Sequence, residues 1–290
     1  MPSLTTGLLY LTASVICSVT VAVLLKLARR YEVDIRQAIA ANYAVTAALC
    51  ALVLSPTTEQ IASAGQTWGL LLALGVIMPT GFIAMAQSVR HAGIVRSDAA
   101  QRLSLFLPLL AAFLLFGESL TWRKSVAIVL AFTALFCVLR RRESMNHNAL
   151  VGQHPWIWPL GVWITYGLVD ILFKQIAKTG TAFSGALLIA FILAGIAMTT
   201  YLLIRRTSWH ARHLCAGVIL GFANFGNIVT YIRAHQSLPG HPALVFASMN
   251  MGVIVAGTIV GAIAFREPLS RMNLLGLAIA VIAIFLMMPI

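Results

Sequence analysis

The chain has 290 residues, 60% of them hydrophobic and only 10% charged, with a mean hydropathy of +0.92. So apolar a composition leaves too few polar side chains to cover a water-soluble globule, which excludes a soluble enzyme or binding module and points to lipid as the solvent. The formal charge is +12, from 20 Lys and Arg against 8 Asp and Glu, and the placement of those charges decides what they mean.

Ten runs approach the ~20 apolar residues that a helix needs to cross a ~30 Å hydrocarbon layer. In chain order they are 4–25, 37–54, 68–88, 96–116, 122–139, 157–177, 183–204, 214–237, 243–264 and 272–289. Strand-type alternation is missing, so helices are expected throughout, since hydrocarbon offers a backbone N–H no partner outside its own segment. The first run lacks a basic leader and exceeds the apolar part of a signal peptide, so it is expected to remain as a spanning helix. The longest connection, RRRESMNHNALVGQHP, runs from Arg140 to Pro155. It divides the chain into a first five-helix unit at 1–142, a linker at 143–156 and a second unit at 157–290.

The two units are related in sequence. Gln87-Ser88 recurs as Gln236-Ser237 and Phe116-x-Glu118-x-Leu120 as Phe265-x-Glu267-x-Leu269, about 149 residues later, and Val21-x-x-Leu24-x-Lys26 recurs as Val169-x-x-Leu172-x-Lys174. Five spans per unit is an odd number, so the second unit must run through the bilayer in the opposite sense to the first. The expected fold is an all-α integral membrane protein of ten transmembrane helices, arranged as two inverted five-helix repeats.

Fourteen basic residues lie at connections that follow odd-numbered spans: Lys26, Arg29, Arg30, Arg36, Arg90, Arg96, Arg140, Arg141, Arg142, Arg205, Arg206, Arg212, Arg266 and Arg271. Four lie on the other side, Arg123, Lys124, Lys174 and Lys178. The positive-inside rule places the first set in the cytoplasm and both termini outside. The basic surplus is then a topology signal and an attraction to anionic lipid, with no need for a nucleic-acid partner. Cys17, Cys50, Cys137 and Cys215 lie in or at the start of apolar runs without C-x-x-C spacing, so neither a disulfide framework nor a metal site is indicated. His210 and His213, beside Trp209 and Arg212, read as interfacial side chains rather than a metal pair.

A charge at mid-helix costs roughly 2.5–3.5 kcal/mol on insertion scales and seldom sits there without a partner or a cavity. In the fourth span Asp98 and Arg102 are i, i+4 and close enough to pair, Arg96 is placed to snorkel to head groups, and the repeat sets Gln101 opposite Asn250. In the sixth span Trp163, Tyr166, Asp170 and Lys174 share one helical face. Its counterpart in the first span is the stripe Ser14, Ser18, Ala22 and Lys26, and both stripes are expected to face the interior. In the eighth span Asn224, Asn227 and Tyr231 repeat the spacing, followed by Arg233, expected about a turn deep, and His235. Plainer readings stand beside these: neutralising pairs for Asp98–Arg102 and Asp170–Lys174, snorkelling for Arg233, and helix-to-helix hydrogen bonds for the asparagines, worth ~0.6 kcal/mol each on average. Pro108 and Pro239-Gly-His-Pro242 are candidate hinges. Glu118 and Glu267 read as N-cap or first-turn carboxylates for the fifth and tenth spans, with a coupling-ion role as the alternative.

Ten spans in two halves, the F-x-E-x-L signature as FGESL and FREPL, and a lysine closing the first and sixth spans resemble the ten-helix EamA-type members of the drug/metabolite transporter superfamily. The resemblance covers essentially the whole chain as two tandem domains. It implies secondary transport, often export, from a bacterial plasma (inner) membrane, with spans 1 to 4 and 6 to 9 around a central cavity and spans 5 and 10 peripheral. Many bacterial members keep both termini in the cytoplasm, against the orientation that the charges give. The resemblance leaves the substrate open.

Exporters of lipophilic cations need an intramembrane carboxylate, and the first span has none, while deep Arg102 and Arg233 outnumber the one deep acid, Asp170. An anionic or zwitterionic metabolite fits better, its carboxylate or phosphate on arginine, its polar atoms on Gln101, Asn224, Asn227 or Tyr231, and its apolar part on Trp163, Tyr166 or Phe225. Asp170, Lys174, Lys26, Asp98 and His235 are the candidates for coupling or gating, Asp170 as a proton carrier. A lipid flippase or multidrug exporter is the alternative. A membrane-embedded enzyme is disfavoured, because no H-x-x-x-H, D-D-x-x-D or Ser-His-Asp arrangement occurs. No cofactor is expected; the expected partners are a small-molecule substrate, the bilayer and a coupling proton, with monomer and homodimer both open.

Overall fold

The computed structural model describes residues 4–108, 110–111, 121–139, 156–179, 182–238 and 242–286. Among these residues every regular element is a helix and there is no strand. α1 is Leu4–Arg30 and α2 Ile35–Leu49, the latter running on as a π-helical turn, Cys50–Leu54. The short α3, Thr58–Ser63, leads through a 3-10 turn into α4, Trp68–His91, and then come α5, Ile94–Leu103, and α6, Trp122–Leu139. The remainder is α7, Ile157–Lys178, α8, Phe183–Ile204, α9, Ala211–Ser237, α10, Pro242–Ile263, and α11, Arg271–Leu286.

Six of the described helices are long and apolar enough to cross a bilayer: Thr5–Arg30, Ile35–Leu54, Trp68–His91, Ile157–Ile176, Phe183–Ile204 and Ala211–Ser237. Ser248–Ile263 and Arg271–Leu286 are shorter apolar helices. Their outer faces carry exposed Leu9, Leu52, Val76, Ile196 and Ile263, a surface that water would not tolerate and hydrocarbon does. The protein is an integral, multi-pass membrane protein.

Helix boundaries follow from local chemistry. Asp34 caps α2, its Oδ1 accepting from Arg36 N at 3.0 Å. Ser270 and Asn273 cap α11 reciprocally, Asn273 N donating to Ser270 Oγ and Ser270 N to Asn273 Oδ1, each at 3.1 Å. The run 96–116 departs from its expected single helix. α5 stops at Leu103, Ser104 and Leu105 form a turn, and helix resumes at Phe106. Pro108 has no N–H to offer the Ser104 carbonyl four residues back, and that carbonyl instead accepts from Leu107 N at 2.9 Å.

The packing is built on pairs. α1 lies on α9 and α10, α2 on α8 and α9, α4 on α7 and α8, α5 on α7 and α10, and α6 chiefly on α11. Small residues allow the closest approaches. A Cβ on Gly217 of α9 would fall 2.3 Å from the Ala38 carbonyl oxygen of α2, and one on Gly276 of α11 would fall 2.8 Å from Cys137 Cβ of α6. At the end of α6, Asn273 Nδ2 donates to the Cys137 and Val138 carbonyls at 3.1 and 2.9 Å.

Candidate functional site

The break after Leu103 leaves Gln101 and Arg102 at the last turn of α5, beside two adjoining cavities of about 200 and 320 Å³ that share Met78, Gln101, Tyr166, Phe191, Asn227 and Ile228. Ser18 of α1, Tyr43 of α2 and Asn224 of α9 line the smaller one. Arg102, Asp170, Phe173, Tyr231 and Asn250 line the larger. The larger cavity is drawn from the last turn of α5, the middle and later turns of α7 and α9, the earlier turns of α8 and α10, and Met78 of α4. Those parts of α5, α7, α8, α9 and α10 lie away from the basic connections, so the cavity extends from the middle of the helices toward the face with fewer charges.

Arg102 is the centre of its polar wall. Its Nη2 donates to Ser18 Oγ at 2.6 Å, whereas its Nε is buried with no hydrogen-bond partner among the described residues. Asp98 is 2% exposed, and its Oδ2 is likewise without a hydrogen-bond partner. The Asp98–Arg102 pair expected from their i, i+4 spacing is therefore not made, because Ser18, on the neighbouring helix, offers the guanidinium a close acceptor on the cavity side. Asp170 is exposed on the cavity wall and lies within electrostatic reach of Arg102. Lys174 follows one turn on, half-buried.

The amides are braced from neighbouring helices. Asn227 accepts from Ser14 Oγ through its Oδ1 at 2.8 Å and its carbonyl at 3.2 Å. Asn224 Nδ2 donates to Asn42 Oδ1 at 3.2 Å. The interior stripe of α1 is buried as its spacing predicts, with Ser14 and Ala22 fully enclosed and Ser18 nearly so.

Three expected site residues sit elsewhere. Trp163 is not among the cavity-lining residues; its Nε1 donates to the Leu103 carbonyl at 3.0 Å and its ring packs edge-on against Phe132. The interruption of α5 creates that demand, since terminal carbonyls of a helix lose their intrahelical donors. Arg233 is exposed and lines neither cavity. It is nine residues from Asn224, and at 3.6 residues per turn that is about half a turn round the helix. His235 stacks edge-on against Tyr231, centroids 4.7 Å apart, without lining either cavity. Arg96, expected at the head groups, donates from Nη2 to Asn273 Oδ1 at 3.2 Å.

Lys26 has a partner that the sequence did not indicate. Its Nζ lies 3.0 Å from Glu267 Oε1, and the same carboxylate accepts from Ile94 N at 2.7 Å and Val95 N at 3.2 Å. Glu267 thus caps the N-terminus of α5 in the other half, where orphan N–H groups and the helix dipole favour an anion. The helix after it, α11, is capped by Ser270 and Asn273 instead, so the expected N-cap role for Glu267 at the tenth span is corrected. Glu118 lies outside the described residues. His213 Nδ1 accepts from Asp34 N at 3.3 Å, which places that histidine at the start of α2. Tyr43 and Phe191, missed from the sequence, come from α2 and α8; the buried Asn42 and Thr46, one turn apart on α2, are the signal that could have marked the first of them.

Residues 5–140 match the EamA-like transporter family. An uncharacterized protein of Haemophilus influenzae is 46% identical over 282 residues, covering 94% of this chain and 94% of that protein. This chain belongs to the EamA-like transporter family. The resemblance carried by FGESL is borne out over residues 5–140, which contain that motif, and the EamA-like chain is a membrane transporter of the drug/metabolite type. A solved crystal structure 14% identical to it superposes with a TM-score of 0.62, covering 98% of this chain and 96% of that one, which is a likeness of fold.

Proposed function

We propose that this EamA-like protein is a secondary active transporter that moves a small anionic or zwitterionic metabolite by alternating access, as an exporter or exchanger, in a bacterial plasma membrane. The observation that carries the reading is Arg102, a cavity-wall guanidinium held by Ser18 while its Nε stays buried without a hydrogen-bond partner. A carboxylate or phosphate in the cavity is the partner that a guanidinium on its wall favours. Asp170 on the same cavity suits the ammonium of a zwitterion, Gln101, Asn227 and Asn250 suit its remaining polar atoms, and Tyr166 and Phe191 suit an apolar part.

Support for alternating access comes from how the helices pair. With the second half read as a copy of the first, α1 on α9 is answered by α7 on α4, α2 on α9 by α8 on α4, and α1 on α10 by α7 on α5. Exchanging the halves preserves these contacts, the property that lets a carrier adopt two openings related by a pseudo-two-fold rotation.

The test is a thermal-shift screen of purified protein against anionic and zwitterionic metabolites, followed by counterflow in proteoliposomes. A ligand at 100 times its Kd adds ~2.7 kcal/mol of apparent stability, and stabilisation in phospholipid-free detergent separates a metabolite carrier from a lipid flippase. Arg102→Met is expected to keep the fold and abolish both ligand stabilisation and counterflow. Normal counterflow in that variant would remove the anion-binding reading.

A further inference from the structure

We propose that Glu267 is the latch that closes the cavity toward the basic face, and that its release from Lys26 and from the N-terminus of α5 lets that face open. The proposal rests on the alternating-access reading above. Lys26 is eight residues beyond Ser18 on α1, and Ile94 is eight residues before Arg102 on α5. On both helices the Glu267 carboxylate therefore meets the chain roughly 12 Å from the cavity, counted at 1.5 Å per residue. The larger cavity is built from parts of the helices remote from the basic connections, and Glu267 stands in one of those connections. One carboxylate thus joins α1 and α5, at their basic ends, to the connection between α10 and α11.

The contact is built to hold a charge and to let it go. The Glu267 side chain is 8% exposed and that of Lys26 24%, so water reaches the lysine while the carboxylate is held by an ammonium and two N–H groups. The backbone on both sides is in the left-handed region: Gly93, just before the capped N–H groups, has φ +93, and Arg266, just before Glu267, has φ +49. Gly93 is also where a Cβ would fall 2.5 Å from Glu267 Oε2, so a larger residue there would displace the carboxylate as well as strain the backbone. Arg266 is the left-handed residue that ends α10, with Glu267 N donating to the Gly261 carbonyl at 2.9 Å, and this cap aims the Glu267 side chain at α1 and α5. Breaking the three side-chain contacts leaves α1 and α5 no longer joined through that carboxylate.

Sided labelling reads this directly. In a background with Cys17, Cys50, Cys137 and Cys215 replaced by alanine, a cysteine is placed at Val21, which lines the smaller cavity. A second protein with Ser208→Cys, in the exposed connection between α8 and α9, identifies which vesicle orientation presents the basic face. With an impermeant charged maleimide at that face, Glu267→Gln and Lys26→Met are each expected to raise the labelling rate at Val21→Cys at least fivefold. A smaller change in either variant, with cooperative thermal unfolding retained, overturns the latch; if Glu267→Gln fails to fold, Lys26→Met alone decides. The exchanged pair Lys26→Glu with Glu267→Lys restores the ion pair but leaves the α5 N–H groups without an acceptor, so it is expected to stay open, and reclosure would overturn the capping half of the proposal. Labelling needs no substrate. Opened variants of a protein that carries no zwitterion or anion would keep the latch and remove the transport reading, whereas loss of counterflow without a labelling change would remove the latch and keep the transport reading.

Discussion

The indole of Trp163 donates to the Leu103 carbonyl at 3.0 Å, so a side chain of α7 closes the end of α5 at the place where Arg102 enters the cavity. Trp163→Phe keeps the ring against Phe132 and removes the donor. A buried carbonyl left without a partner costs about 1–3 kcal/mol, and thermal unfolding in detergent should show a loss in that range. Because Trp163 acts by positioning α5, substrate affinity should weaken without a change of substrate preference. Altered selectivity among ligands that differ only in their apolar part would return Trp163 to direct contact with the cargo.

Ser18 orients the Arg102 guanidinium from the neighbouring helix. Ser18→Ala should lower the affinity for a carboxylate substrate about fivefold, the equivalent of ~1 kcal/mol for one hydrogen bond. Ser18→Thr keeps the acceptor and should restore it. Equal affinities in all three proteins, by titration of ligand-dependent stabilisation, would detach Ser18 from binding.

Asp170 carries the prediction about coupling. If its carboxyl takes up a proton during exchange, Asp170→Asn should lose accumulation driven by a pH gradient and keep substrate counterflow. If Asp170 only balances neighbouring charge, stability and both activities should fall together. Gradient-driven uptake that survives the substitution rules out the proton role.

Gly93→Ala tests the backbone beneath the Lys26–Glu267 contact. At φ +93 with 2.5 Å to the carboxylate, a methyl group strains the turn and displaces Glu267 together. The variant should be less stable by more than ~1 kcal/mol. It should also raise labelling at Val21→Cys from the basic face as Glu267→Gln does. Wild-type labelling in a folded Gly93→Ala protein would mean that the carboxylate finds another seat.

The residues legible in the sequence are those whose spacing fixes a face. Tyr166 and Asp170 are four apart, as are Asn227 and Tyr231, and both pairs reach the cavity. Depth along the span does not reveal that Arg233 stands half a turn round the helix from Asn224, which turns it away from both cavities. The break in the fourth span was implicit in Pro108, once the missing N–H is matched to the Ser104 carbonyl. Glu267 was visible as a repeated signature, but its partners are 173 and 241 positions away, a pairing that only the packing of the two halves creates. Tyr43 and Phe191 look in the sequence like any other core residues, since an apolar side chain beside a cavity and one inside a core obey the same pattern.

α5 has ten residues, about 15 Å of helix, so its last turn stands near the middle of a ~30 Å layer. Irregular backbone at that depth survives only under protein or beside water, and Ser104 is 2% exposed with its hydroxyl bound to the Gln101 carbonyl at 2.6 Å. Ser104 and Leu105 border the larger cavity. Main chain therefore borders the cavity halfway through the oil, where an unbroken rod of helix would present only side chains. The interruption hangs on a single ring, since an N–H restored at position 108 would let the Ser104 carbonyl rejoin the helical ladder and withdraw that main chain from the cavity wall.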